Sequence, residues 1–554
     1  VLNLELLEPL RSILPTLCQR FHAEGWWGDE TFASRAEKLA ERAPDRISIA
    51  DDRGPLTRTD LVEGARRFAT WLADKGIGRG GIVALQLPNC ADYAIANLGC
   101  ELAGAAWVNL STAYRRHEMV DILGHLRADV LVVETMVRDF DMRPLVDDVV
   151  GATSISVVVG HGSDVPSHWT PFAATLATAA DPTVIAAARL GADDIYSIVL
   201  SSGTTSARPK EALRSVNSMF CALTIMNRVF GVDPGDRILV LAPQTGGAGY
   251  SYSVALPALT GAQATVTELG IGPELVERIL ALRPTVLVAV PTQMGRLLDA
   301  AGGDRSMWSQ LRLIINSGAP LLGEVAARAE EECGCPILSV YGATDGMVPV
   351  ITATEAPAEV RRSRVGRVMD GHRLRIIDDD GVEVGAGAVG EICAFGPGMA
   401  FGYVDNTQEM ARAWDADGWW HSGDLGVLDE DGYLRVVGRK KDMILRGGAN
   451  ISPLEIEELL NMSPDVAEAV VVPMPHPELL EQVCAVVTLH PGRTTTLQQL
   501  NAFLTEQGMA RFKLPERLVV RDAIPRTSAQ KIDRLQLTQD IAGLVVDERG
   551  VVPS

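Results

Sequence analysis

Residues 195–210 read IYSIVLSSGTTSARPK: an apolar, β-branched run, then glycine among small hydroxyl residues, then Pro209-Lys210. The first part is a buried strand by composition. Small residues straight after a strand let backbone amides and hydroxyls approach a polyphosphate, and Lys210 adds positive charge. Alone, such a turn is common. It is not a Walker loop, because the G-x-x-x-x-G-K-S/T spacing is absent.

Similar runs recur on both sides: GIVALQL (81–87), DVLVVE (129–134), DRILVLAP (236–243), TVLVAVP (285–291) and RLIINSG (312–318). Helical periodicity fills the gaps, as in LVEGARRFATWLADKG (61–76) and GPELVERILALR (272–283). Continuous Val/Ile/Leu strands alternating with amphipathic helices predict an α/β fold with parallel-rich sheets covered by helices. The last quarter differs. DGYLRVVGRKKDMILRGGANISPLEIEELL (431–460) predicts a strand pair around a glycine turn, then a helix opened by Ser452-Pro453. Strands at AEAVVVPMP (467–475) and EQVCAVVTLH (481–490) and a helix over TTLQQLNAFLTEQG (495–508) follow. The expected organisation is a large N-terminal body (1–437), a junction at Gly438–Lys441 and a small α+β domain (442–554) of roughly 110 residues.

The 554 residues carry a formal net charge of -21, which argues against nucleic acid or an anionic membrane as partner. Phosphate must then be held by a local device. No apolar run approaches the roughly 20 residues of a membrane span, and VLNLELLEPLRSILP (1–15) reads as an amphipathic helix, not a signal peptide. The eight cysteines are scattered; Cys333 and Cys335, without a second pair, read as isolated buried thiols. A cytoplasmic enzyme is expected, with a homodimer as the default assembly.

Two further motifs join the first. Tyr341-Gly342-Ala343-Thr344-Asp345 follows the apolar PILSV (336–340). Its aromatic suits stacking on a purine, its threonine a phosphate bond, and its carboxylate Mg²⁺. His421-Ser422-Gly423-Asp424-Leu425-Gly426 is expected to set an acid in a tight turn, suited to ribose hydroxyls. With G-R-x-x-D…G-G…I-x-P-x-E-I-E and P-R-T…K, these motifs make the chain resemble the adenylate-forming superfamily of acyl- and aryl-CoA synthetases, adenylation domains and luciferases. The resemblance runs from RAEKLAERAPDRISI (35–49) to QKIDR (530–534). RHEMVDILGHLRADVLV (116–132) and Arg214-Ser215-Val216-Asn217 lean toward aryl and alicyclic acid ligases.

The resemblance implies ATP, Mg²⁺ and coenzyme A as cosubstrates and cofactor. Ser202, Gly203, Thr204, Thr205 and Lys210 would cover the phosphates. Gly318, Ala319, Pro320, Tyr341 and Gly342 would flank the adenine, with Thr344 near the α-phosphate and Asp345 as metal ligand. Asp424 would bind the ribose beside Arg439, and Lys531 would be the catalytic lysine of adenylation. Lys441 would be the hinge for a rotation of the small domain before thioester formation, and Gly447-Gly448 would line the pantetheine tunnel. The chemistry asks for such groups, because a carboxylate attacking a phosphate brings two anions together.

Four departures from the family pattern matter. Between Thr205 and Lys210 one residue is inserted and the glycines are lost, and Glu211 follows the lysine, where it would oppose phosphate if it faced inward. Asp345 replaces the usual glutamate, and Gln530 the usual glycine. Gly246 stands where the family often has a histidine or aromatic. With Gln244, Gly249 and Tyr250 it would border an acid pocket enlarged for a bulky apolar acid. The leading expectation is therefore an acyl- or aryl-CoA ligase. The alternatives are a stand-alone acyl-AMP ligase serving a carrier protein or partner enzyme, an enzyme that has lost efficient adenylation, a luciferase-like oxygenase, and a catalytically dead binding homologue.

Overall fold

A computed structural model describes residues 14–542 other than 201–208, 318–320, 322, 401, 447–448, 477–478 and 528–530. The apolar runs become neighbouring strands. Leu313–Asn316 lies between Ile337–Ala343 and Val286–Ala289, and Arg237–Val240, Gln263–Val266 and Ile47–Asp51 continue the parallel order within a nine-stranded sheet. A seven-stranded sheet runs Glu211–Ser215, Ile195–Leu200, Ala106–Asn109, Ile82–Gln86, Val130–Glu134, Val157–His161, Thr170–Pro171. All its pairings are parallel except the first, where Ile195–Leu200 and Glu211–Ser215 are antiparallel. Both faces of such strands must be covered, which is why their side chains read as unbroken Val/Ile/Leu and are buried throughout.

The covering helices start where local chemistry permits. Arg58–Asp74 is opened by a capping box between Thr57 and Asp60, so that two amides at its start are bonded. Ala91–Ala103 is buried along nearly its whole length, which its alanines and Gly99 allow by close approach to Arg58–Asp74. All eight cysteines are free, and all but Cys18 are buried. Among the described residues no helix is long and apolar enough to cross a membrane.

The chain divides into two compact units. One extends through Leu374 and takes back Ala394–His421; the other holds Arg375–Cys393 and the chain from Ser422 onward. Within the second unit, Ile444–Arg446 pairs antiparallel with Ala449–Ile451, and the expected glycine turn between them lies outside the described residues. The helix Pro453–Leu460 begins at Ser452, whose hydroxyl accepts from the Glu455 amide. Val466–His476 and Leu480–Leu489 form a long antiparallel pair, with Arg517–Val520 parallel on the far side. Most of the expected N-terminal helix over residues 1–15 lies outside the described residues; the first described helix is Leu14–Ala23.

Candidate active site

The strand Ile195–Leu200 leads into residues 201–208, so Ser202, Gly203, Thr204 and Thr205 lie outside the described residues. The chain resumes at Pro209-Lys210 and returns alongside itself, with Glu211 opposite Leu200. On its other edge this returning strand is held by residues 402–404: the Leu213 amide donates to the Gly402 carbonyl at 2.9 Å and the Val404 amide to that of Glu211 at 3.0 Å. Lys210 therefore emerges at a fixed place. Its ammonium is 2.9 Å from the Glu409 carboxylate, 3.4 Å from the Tyr403 hydroxyl and 5.0 Å from the Tyr403 ring centre. Glu211 does not face inward. It is buried, with a carboxylate oxygen 2.7 Å from His125 Nδ1.

Tyr341 and Gly342 lie in the strand Ile337–Ala343, and Thr344 and Asp345 in the turn that reverses it. The turn is tight enough that a Cβ at Gly342 would stand 1.7 Å from the Met347 carbonyl oxygen, so this position demands glycine. One Asp345 oxygen accepts from the Gly346 amide at 3.1 Å, and the other accepts from the Tyr403 hydroxyl. Arg214, buried one strand away, donates to the Thr344 carbonyl at 2.6 Å. Burial holds its pKa below the usual arginine value. The structure thus gathers Lys210, Thr344 and Asp345 through Tyr403 and Arg214. Gly318, Ala319 and Pro320 lie outside the described residues, after a strand whose Asn316 is in register with Ser339.

The Gln244–Tyr250 segment is folded back hard. A Cβ at Gly249 would lie 1.9 Å from the Pro243 carbonyl oxygen, whereas at Gly246 the nearest atom would be 3.3 Å away. Gln244 is fully enclosed: its carbonyl accepts from the Cys90 amide at 2.7 Å and its amide donates to Ser253 at 3.0 Å. Tyr250 is equally enclosed, its ring packed against Trp107 and Phe32. These two brace the segment from behind; Gly246 sits at its open end. From there a helix runs Gly247–Tyr250, widens into a π turn over Ser251–Ala255 and resumes as Leu256–Thr260. The π turn immediately precedes Pro257, whose missing amide and bulky ring would break regular α-helical bonding at that point.

In the second unit, Asp424 occupies the strand Trp420–Leu428 and not the tight turn expected from its glycines. The antiparallel neighbour Leu434–Arg439 puts Arg439 directly opposite, and the Arg439 guanidinium is 2.9 Å from the largely buried Asp424 carboxylate. Lys531 is brought to the same pair. Crowding by protein atoms and the like charge of Arg439 lower its pKa, while Asp424 raises it; the residue as a whole keeps solvent contact. The P-R-T…K segment closes on itself, the Thr527 amide donating to the Lys531 carbonyl at 2.7 Å. Lys441 lies in the short turn Lys440–Asp442; Gly447 and Gly448 are outside the described residues.

Tyr403 and Glu409 are absent from the sequence-based reading. Residues 402–410 carry no periodic or glycine-rich signal that ties them to Lys210; only the edge pairing does. The model described as AMP-binding enzyme matches residues 36–404, and that of the AMP-binding enzyme C-terminal domain matches residues 455–531. A salicylyl-CoA synthase / salicylate adenylyltransferase from a Streptomyces species is 32% identical over 95% of this chain and 96% of its own. A medium-chain fatty-acid–CoA ligase of Escherichia coli is 29% identical over 94% and 92%. The crystal structure of ATP-bound MatB from Rhodopseudomonas palustris superposes with a TM-score of 0.82 at 26% identity, covering 92% of this chain and 99% of that one. The chain belongs to the AMP-binding enzyme family. It is an AMP-forming acid–thiol ligase, of a kind whose substrates are ATP, a small-molecule carboxylic acid and coenzyme A.

Proposed function

We propose that the protein activates a bulky, largely apolar carboxylic acid, aryl or alicyclic in character, and transfers it to coenzyme A. A carboxylate oxygen attacks the α-phosphorus of ATP, pyrophosphate leaves with the bridging oxygen's electron pair, and acyl-AMP forms. The coenzyme A sulfur then adds to the acyl carbon, and AMP leaves as the thioester forms. The observation that carries the reading is the meeting of Lys210 and Asp345 at Tyr403, a cation and a carboxylate from two separate segments of the chain. Lys210, with Ser202, Gly203, Thr204 and Thr205, would bind the phosphates; Tyr341, Gly342 and Gly318–Pro320 would hold the adenine. Asp424 and Arg439 suit the ribose, and Lys531 would supply the cation that offsets charge as the two anions approach. Lys441 would be the hinge between half-reactions, with Gly447-Gly448 along the thiol's path.

Magnesium fits this donor set. Among the described residues no group of three or more His, Cys, Asp or Glu side chains could cage an ion. Asp345 offers one carboxylate, and magnesium commonly takes one or two carboxylates with phosphate oxygens and water. Bound there, it would neutralise charge on the phosphate oxygens. The free, mostly buried thiols suit a reducing cytoplasm. A second reading, in which a carrier protein receives the acyl group, is supported by a salicyl-AMP ligase / salicyl-S-ArCP synthetase of Mycobacterium tuberculosis, 29% identical over 94% of this chain.

The test is incubation with MgATP and a panel of acids, with and without coenzyme A, and mass spectrometry of the products. Acyl-CoA formed only with both cosubstrates supports the ligase. Acyl-AMP that persists beside coenzyme A supports the carrier reading. Turnover of acetate above every large acid sinks the pocket assignment.

A further inference from the structure

Tyr403 is buried to the last atom, yet it is the point where three elements meet. Its backbone bridges Ala212 on the strand that follows Lys210, its ring packs edge-on against Trp414 with centres 5.2 Å apart, and its hydroxyl reaches the Asp345 carboxylate. The Lys210 ammonium lies over the same ring. Trp414 and Ala212 suffice to explain a buried aromatic here; phenylalanine would pack as well. They do not explain a hydroxyl, which costs free energy to bury unless it is bonded.

We propose that Tyr403 is a positioning residue of the adenylation site: its hydroxyl fixes the Asp345 carboxylate for metal–nucleotide binding while its ring sets the place of the Lys210 ammonium. The inference rests on the assignment of Asp345 and Lys210 above. The carboxylate needs such help here more than a glutamate would. One methylene shorter, it reaches less far from the Thr344–Gly346 turn, and an unanchored rotamer would point it elsewhere. With the hydroxyl on one oxygen and the Gly346 amide on the other, one orientation is held, and each oxygen keeps a further lone pair for a metal ion. The ring acts differently: an aromatic face holds the cation in place without itself adding a negative charge. Outer hydrogen-bond partners of this kind typically govern metal affinity by one to two orders of magnitude.

Tyr403→Phe separates the hydroxyl from the ring. In the full chain with a non-hydrolysable α,β-methylene ATP analogue, Mn²⁺ binding followed by electron paramagnetic resonance should weaken roughly tenfold. The melting temperature should stay within a few degrees, and the KM for MgATP should rise in parallel. Tyr403→Leu, which also removes the ring, should add a further loss of analogue affinity at saturating Mn²⁺. Asp345→Asn is the control. If it weakens Mn²⁺ binding while Tyr403→Phe leaves both Mn²⁺ binding and KM unchanged, this inference falls and the site assignment stands. If Asp345→Asn binds Mn²⁺ like the unaltered enzyme, the assignment of Asp345 falls and this inference with it.

Discussion

The ammonium of Lys210 is ion-paired to the carboxylate of Glu409, and Arg412 holds the same carboxylate from the other side. The lysine proposed to bind phosphate is therefore partly neutralised by a residue that has a second cation beside it. Lys210, first among its causes, holds the Glu409 pKa below the usual glutamate value, so the carboxylate is charged at neutral pH.

Replacing Glu409 by Gln keeps the shape and removes the competing charge. The KM for MgATP should fall by about threefold, the effect expected of a partly exposed ion pair worth about 0.5–1 kcal/mol. Steady-state pyrophosphate exchange reads it directly. A rise in KM would instead make Glu409 a support that holds Lys210 in place.

Lys531→Ala should lower acyl-AMP formation by roughly 10²–10³-fold, the usual cost of one group stabilising developing charge. Thioester formation from acyl-AMP supplied ready-made should change little, because that step does not bring two anions together. In the unaltered enzyme the depressed lysine pKa should bring the alkaline limit of adenylation below that expected of an ordinary lysine. A rate profile against pH for each half-reaction separates the two.

Gly246 and Gly249 are chemically alike and sterically opposite. Gly249→Ala places a carbon 1.9 Å from the Pro243 carbonyl and should destabilise the first unit by about 1–3 kcal/mol or more, read as a lowered melting temperature. Gly246→Ala, whose Cβ would stand 3.3 Å from the same oxygen, should cost clearly less. Gly246→Phe should shift the ratio of kcat/KM values toward smaller acids, measured across one acid panel.

His161 lies between Asp92, 3.0 Å from Nε2, and Glu134, 2.5 Å from Nδ1. Burial opposes its charge, but the two carboxylates overcome burial and raise the pKa to about 9 from 6.5. A raised histidine pKa stabilises the fold fully below the unfolded value and loses that contribution as pH rises through the folded one. On the order of 3 kcal/mol should therefore disappear between about pH 7 and 10. Urea unfolding over that range should show the decline in the unaltered chain and a flatter course in His161→Gln.

The sheets were legible because strands buried on both faces have a composition that no exposed element shares. GIVALQL, DVLVVE and TVLVAVP each became a strand within a residue or two of their ends. The Asp424 strand was misread as a turn because Gly423 and Gly426 look like turn residues; Gly423 does take a positive φ of 69°, but as an irregularity inside the strand. The orientation of Glu211 was undecidable from the chain alone, since its partner His125 lies 86 positions away. Tyr403 escaped for the same reason: an edge pairing between residues 212 and 403 leaves no periodic trace. Local chemistry announces itself in sequence; a partner brought in by the fold does not.

The π turn at Ser251–Ala255 bears on how this enzyme's diet could change over generations. Such a turn carries one residue more than an α turn, so a change of chain length there is absorbed within the turn while Leu256–Thr260 stays anchored in the core. A single-codon deletion or insertion at this point should therefore alter the surroundings of Gly246, which we propose borders the acid, without unseating the helix behind it, a route to new substrates that point substitution alone does not offer.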